Sequence, residues 1–338
     1  MNTAWFIWLG LLLVGYAIFD GIDLGVGALH LFVARTEGER RNSLSAIGPF
    51  WAGYEVWLVV AGGSMVAAFP RLYAASFSGF YIVLTLVLWL LIGRGVSIEM
   101  RSRISDPMWH GFFDVAFAGS SGLLAVVYGA AVGNVIRGVP LDASGNFQGS
   151  LTLALNPYSI MVGILSLVLL SMHGANFLAY RTSNQIGERA AEMGIRLWPI
   201  TLILIVAVTV LTFFVKPELT HNFAQYPILT VLPLTCFGGL FAVRYYQAKK
   251  NNVGALISGA VLILGLLGSG GASLYPSLLP NLNGGPGLTV FNSASSHSCL
   301  VSALILNMIG MAGVVGYQIV IHRLMRGKVD LEPAVDGY

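Results

Sequence analysis

The chain has 338 residues, of which 56% are hydrophobic and only 10% charged, against about 25% charged residues in a soluble domain. That composition excludes a soluble globular protein and marks an integral membrane protein. The net charge of +3 comes without a basic stripe or reading motif, so no nucleic-acid partner is expected. Its two cysteines, Cys236 and Cys299, are too few for a disulfide framework, and no Cys-x-x-Cys-His haem attachment is present.

A bilayer core asks for roughly 20 apolar residues in a helix. In chain order, nine stretches meet that demand: 4–31, 50–69, 76–97, 112–135, 157–180, 196–215, 227–246, 253–273 and 299–322. No basic residue precedes the first run, so it reads as a retained helix rather than a cleaved leader. The tight connection Phe69-Pro70-Arg71 makes the second and third spans antiparallel neighbours. The longest outer connections, 136–156 and 274–298, are rich in Gly, Pro, Asn and Ser and read as loops. The sequence shows no soluble domain or linker, and 1–338 reads as a single all-α membrane domain.

The basic residues fix the orientation. Of 18 Lys and Arg, only Arg71, Arg137 and Lys216 fall in one set of connections, and the other fifteen fall in the opposite set. The basic side is cytoplasmic, with the N-terminus outside and the C-terminus inside. An extra or missing helix would break this alternation, and it does not break.

The first span holds Gly15-Tyr-Ala-Ile-Phe-Asp20-Gly-Ile-Asp23-Leu-Gly25. A carboxylate within a span costs about 2.5–3.5 kcal/mol on insertion scales, so two of them call for a function. Spaced i, i+3, they share a face. Asp20 lies just past the midplane and Asp23 about 4.5 Å nearer the cytoplasm. Glu55, in the cytoplasmic part of the second span, completes a set of three carboxyl groups at similar depth. Chains of this kind line proton paths. The alternative is that they are static caps or bridges between helices or subunits. Glu99 and Asp114, near the cytoplasmic boundary, are expected to pair with Arg94, Arg101 or Arg103. His173 is the only histidine deep in a span, and reads as a packing or hydrogen-bonding residue, since no second histidine stands at its depth to complete a haem cage. Gly25-Val-Gly27 is too short for a dinucleotide fingerprint.

Further signatures run along the chain: Gly48-Pro-Phe-Trp-Ala-Gly-Tyr-Glu55-Val-Trp57, Phe77-Ser-Gly-Phe-Tyr81, Gly133-Asn-Val-Ile-Arg-Gly-Val-Pro140, Met172-His-Gly-Ala175, Ser273-Leu-Tyr-Pro276, Ala294-Ser-Ser296 and Arg326-Gly-Lys-Val329. With the helix-1 motif, they resemble subunit II of the cytochrome bd-type quinol oxidases of prokaryotes over nearly the whole length. The resemblance implies helical bundles paired with a homologous, haem-bearing subunit I in the prokaryotic cell membrane. The complex would oxidise quinol, reduce dioxygen to water and build a protonmotive force. This chain would hold no catalytic residue, haem or metal of its own; haems b and d, or b alone, would sit in the partner. A structural quinone or lipid, and a small single-helix accessory subunit, are compatible with the family.

Carried over by motif, Asp20 and Asp23 match the family's helix-1 acidic pair in the proton path. The family's helix-2 motif commonly has an aspartate where this chain has Ala52, so Glu55, three residues on, is expected to take over its role. A secondary transporter with midplane ion sites is the competing reading from another class, and a purely structural partner that shields a haem subunit from lipid is a third.

Overall fold

The computed structural model describes residues 1–142, 145–149 and 151–329. All nine expected spans are helical, and eight helices are individually long and apolar enough to cross a membrane. In chain order the α-helices are α1 (Asn2–Val33), α2 (Glu37–Ile47), α3 (Trp51–Ala68), α4 (Pro70–Gly79), α5 (Tyr81–Met100), α6 (Pro107–Arg137), α7 (Leu151–Ala154), α8 (Pro157–Arg181), α9 (Asn184–Val215), α10 (His221–Gln225), α11 (Val231–Ala248), α12 (Asn252–Leu274) and α13 (His297–Leu324).

Three boundaries differ from the sequence reading. The segment after α1, taken as a connection, forms α2. Thr36 Oγ1 accepts from the Glu39 backbone N–H while the Glu39 carboxylate reaches back to Thr36, a reciprocal cap that starts a helix in a polar segment. α2 and α3 meet at a bend of 46°. The third span is broken at Phe80, with Pro70 opening the short α4 and α5 following from Tyr81. α9 begins twelve residues earlier than hydropathy suggested, because its first turns are polar and run on the cytoplasmic side.

α8 is the most enclosed span, with α1, α6, α9 and α12 packed around it. The crossing of α1 and α8 is set by glycine. A Cβ built on Gly25 would stand 1.9 Å from the Leu170 carbonyl oxygen, and one on Gly174 would stand 2.4 Å from the Gly25 carbonyl carbon. Backbone therefore lies directly on backbone, the close approach that small residues allow inside a membrane. This brings the carboxylate-bearing turns of α1 into the centre of the bundle.

The outer connections form a cap rather than free loops. Strands β1 (Ser277–Leu279) and β2 (Leu288–Thr289) pair antiparallel. Val139 bridges to Asn281, and Asn281 clasps Leu141 through both its amide oxygen and nitrogen. Gly138 makes the approach, at φ +90° and with the Pro280 carbonyl oxygen 2.9 Å from where a Cβ would be. Residues 143, 144 and 150 of the expected loop 136–156 lie outside the described residues.

The glycine crossing has a direct test. Gly25→Ala is expected to destabilise the purified protein by about 1–3 kcal/mol, the usual cost of overpacking, while Gly10→Ala, with open space around the new methyl group, leaves the melting temperature in detergent unchanged. Equal melting of both variants would contradict the crossing.

Candidate functional site

Asp20 and Asp23 are fully buried on α1. The group opposite them is Arg94, from the cytoplasmic half of α5, which is also fully buried. Its Nη2 donates to Glu55 Oε1 at 2.6 Å and lies 2.7 Å from Asp20 Oδ1 in an ion contact. The one guanidinium thus joins α1, α3 and α5. Glu55 is the outermost member, its side chain 28% exposed. Asp23 is different: among the described residues it has neither a hydrogen-bond partner nor an ion pair. Three carboxyl groups face one arginine, so the cluster is electroneutral only with two protons bound. An unpaired buried charge is costly in a medium of low dielectric.

A polar seam continues from this cluster along α1 and α6. One turn outward from Asp20, Tyr16 donates its hydroxyl proton to the Tyr128 hydroxyl at 3.0 Å. One turn inward from Asp23, Gly27 leaves room for Ser121, whose Oγ would be 2.0 Å from a Cβ at that position. Ser121 is fully buried, and its hydroxyl has no partner among the described residues. At the cytoplasmic end, His30 Nε2 lies 2.8 Å from Asp114 Oδ1. Asp114, Ser121 and Tyr128 are seven residues apart on α6, which keeps them on one face toward α1.

Asp114 is also the centre of a cytoplasmic clasp. Arg101 Nη2 donates to its Oδ2 at 3.0 Å, and Arg40 Nη1 donates to the same oxygen at 3.1 Å. Arg101 is bidentate to Glu37, with both distances 2.8 Å. His110 Nδ1 lies 3.1 Å from Glu37, and Arg189 on α9 pairs with Glu39. On α2, burial works against ionisation of Glu39, but the backbone N–H groups of Arg35 and Thr36 and the Arg189 guanidinium outweigh it and hold the carboxyl below its ordinary value.

The expected residues therefore meet, with two differences. Glu55 faces a polar chain toward α1, as the sequence suggested, but the link is Arg94, which had been placed in the connection between spans. Asp114 does pair with Arg101. Glu99 makes no ion pair among the described residues, and its backbone carbonyl accepts a hydrogen bond from Arg103 Nε.

His173 does not fit an iron ligand. His173 is buried with Nε2 3.2 Å from the Ile18 carbonyl oxygen and Nδ1 so close to α12 that a Cβ on Gly259 would be 2.5 Å away. Neither ring nitrogen has room for iron. No group of three or more His, Cys, Asp or Glu able to hold a metal occurs among the described residues.

Comparison with known proteins converges on one family. Residues 1–325 match the model described as cytochrome bd terminal oxidase subunit II. The chain is 32% identical to the cytochrome bd ubiquinol oxidase subunit 2 of Bacillus subtilis over 331 residues, covering 97% of each. It is 31% identical to a probable cytochrome oxidase subunit 2 of Haemophilus influenzae, over 98% of this chain and 95% of that one. In fold it is similar to a chain of the bd oxidase from Geobacillus thermodenitrificans, with a TM-score of 0.80 at 18% identity, covering 96% of this chain and 98% of that one.

The clasp is expected to matter to stability, because removing one partner of a buried pair leaves the other uncompensated. Asp114→Asn should cost about 3–5 kcal/mol, read as a large fall in melting temperature. Glu192→Gln, which breaks an exposed pair with Arg196, should leave melting unchanged within error. Equal effects would show that the clasp is solvated.

Proposed function

The chain belongs to the cytochrome bd terminal oxidase subunit II family, and we propose on that footing that it is the haem-free second subunit of a membrane quinol oxidase, with a buried proton relay at Asp20, Asp23 and Glu55. In this reading the complex oxidises quinol and reduces dioxygen to water. The protons consumed come from the cytoplasm, and the charge separation adds to the protonmotive force. The haems lie in subunit I, which packs beside this chain in the prokaryotic cell membrane. The names of the Bacillus and Haemophilus relatives support the oxidase role, and the surroundings of His173 support placing the haems in the partner.

The observation that carries the relay is the buried cluster with more carboxyl groups than positive charges. Glu55 is the partly open end and stands nearest to a source of protons. Arg94 holds Glu55 and Asp20 around one nitrogen, so a proton on either carboxyl changes the pairing of the other. Asp23, without a cationic partner, stores a proton rather than a charge. Glu55 takes the place of the aspartate that relatives commonly carry at the position of Ala52. Its carboxyl reaches the helix-1 pair through the guanidinium. The supporting structural role is that the same arginine ties α1, α3 and α5 together, which fixes the surface offered to subunit I.

Turnover of assembled enzyme separates a relay from static glue. Asp23→Asn is expected to lower quinol-dependent oxygen uptake at least tenfold, in a complex that still brings down its partner with normal haem absorbance. Glu55→Gln should lower it in the same direction. Full turnover in both variants would make the cluster structural, and a colourless preparation that consumes no oxygen would remove the oxidase reading altogether.

A further inference from the structure

At the cytoplasmic ends of α8, α11 and α12 lies a cavity of about 480 Å³ whose lining includes Tyr180, Lys249, Lys250, Asn252, Val253 and Lys328. Three lysines line it, and among the described residues no carboxylate does. None of the three lysines makes an ion pair among the described residues. Lys249 is instead placed by aromatic contact, its Nζ 4.3 Å from the Tyr245 ring centre and donating to that residue's hydroxyl.

The backbone fixes where Lys250 and Lys328 sit. Lys250 follows the end of α11 with φ +55°, a left-handed position that glycine or asparagine usually fills. Its own N–H bonds to the Gln247 carbonyl, and that of Asn251 bonds to the Tyr246 carbonyl, which closes the turn. Local geometry therefore favours a small residue where the sequence places a charge. Lys328 arrives from the other end of the chain. Arg181 Nη1 donates to the Met325 carbonyl at 2.6 Å and to the Gly327 carbonyl at 2.5 Å, and Val329 N–H donates to the Arg181 carbonyl. On the fourth side, the 23-residue helix α12 opens with its N-terminus, capped by Asn251, a terminus whose dipole favours an anion.

The bilayer-facing side is apolar. Val253, in the cavity wall, begins an exposed row that continues through Ile257, Val261 and Leu264 along α12. A basic pocket at the cytoplasmic end of spans, continuous with an aliphatic stripe, has the form of a lipid headgroup site.

We propose that this cavity binds the phosphate headgroup of an anionic glycerophospholipid of the cytoplasmic leaflet, with its acyl chains along the Val253–Leu264 face. The lysines supply charge, the α12 N-terminus supplies orientation, and the stripe selects a lipid over a free anion. The site is separate from the Arg94 cluster and does not depend on the proton reading.

The test is lipid retention by the purified complex, delipidated in a neutral detergent and titrated with phosphatidylglycerol, counted by native mass spectrometry. Phosphatidylcholine is the neutral probe, and unchanged haem absorbance of any copurifying partner serves as the assembly check. The wild-type complex is expected to retain one phosphatidylglycerol more than the combined Lys249→Gln, Lys250→Gln, Lys328→Gln variant, at lipid concentrations differing at least tenfold. Arginine at all three positions should restore retention. If the combined variant does not assemble, Lys328→Gln alone, on the C-terminal segment, should weaken retention about threefold. Equal retention by wild type and variant, equal retention of phosphatidylcholine, or displacement of the lipid by millimolar inorganic phosphate would each overturn the proposal.

Discussion

A guanidinium buried between membrane helices has to be neutralised by carboxylates from its neighbours. Arg94 meets that demand with Asp20 on one side and Glu55 on the other. The pairing ties three helices at one depth. It also leaves a surplus of acid: the arginine balances one carboxylate, and Asp23 stands one turn away with no partner of its own among the described residues. Buried ion pairs are weak evidence for stability, since well-packed apolar residues of similar volume can often replace the whole pair. The proposed relay rests on this surplus carboxyl group.

The cluster depends on how closely α1 can be approached. Gly25 against Gly174 lets α8 lie on the α1 backbone, and Gly27 makes the room that Ser121 fills from α6. The side chains of α1 that are not glycine at this face are Tyr16, Asp20, Asp23 and His30. Gly27 belongs to this face, whereas Gly25, two residues from Asp23, lies on the opposite side of α1 toward α8. At its cytoplasmic end the seam closes in the Asp114 clasp, where two arginines and a histidine surround one carboxylate. The deep cluster has more carboxyl groups than cations, whereas the clasp sets Arg40, Arg101 and Arg189 against Asp114, Glu37 and Glu39, and about two turns of α1 separate Asp23 from His30.

Much of this was legible in the sequence. The nine spans followed from apolar length, and the alternation of basic residues fixed their order across the membrane. Asp20, Asp23 and Glu55 stood out because acid inside an apolar run has to be explained. What stayed hidden was decided by tertiary contact. Arg94 reads as the start of a basic connection because Arg101 and Arg103 follow it, yet a fully buried position is available to it only because two carboxylates are waiting. The pairing of His30 with Asp114 joins residues 84 positions apart, and only the seven-residue spacing of Asp114, Ser121 and Tyr128 hints at it. The polar start of α9 and the helix α2 escaped hydropathy for a simpler reason: both are rich in polar and charged residues, α2 opening on a capping box and tied to α9 by the Glu39–Arg189 pair. The outer cap was read as loops because its strands are two or three residues long, too short for a periodic signal.

The claim most open to contradiction is that this chain keeps a proton on a carboxyl group in the middle of the membrane. Infrared difference spectroscopy of the assembled complex, in normal and heavy water, reads the carbonyl stretch of a protonated carboxylic acid directly. The account expects such a band in the wild type, shifted by deuterium and lost in Asp23→Asn while the haem spectrum is unchanged. A band that survives the substitution intact would contradict it.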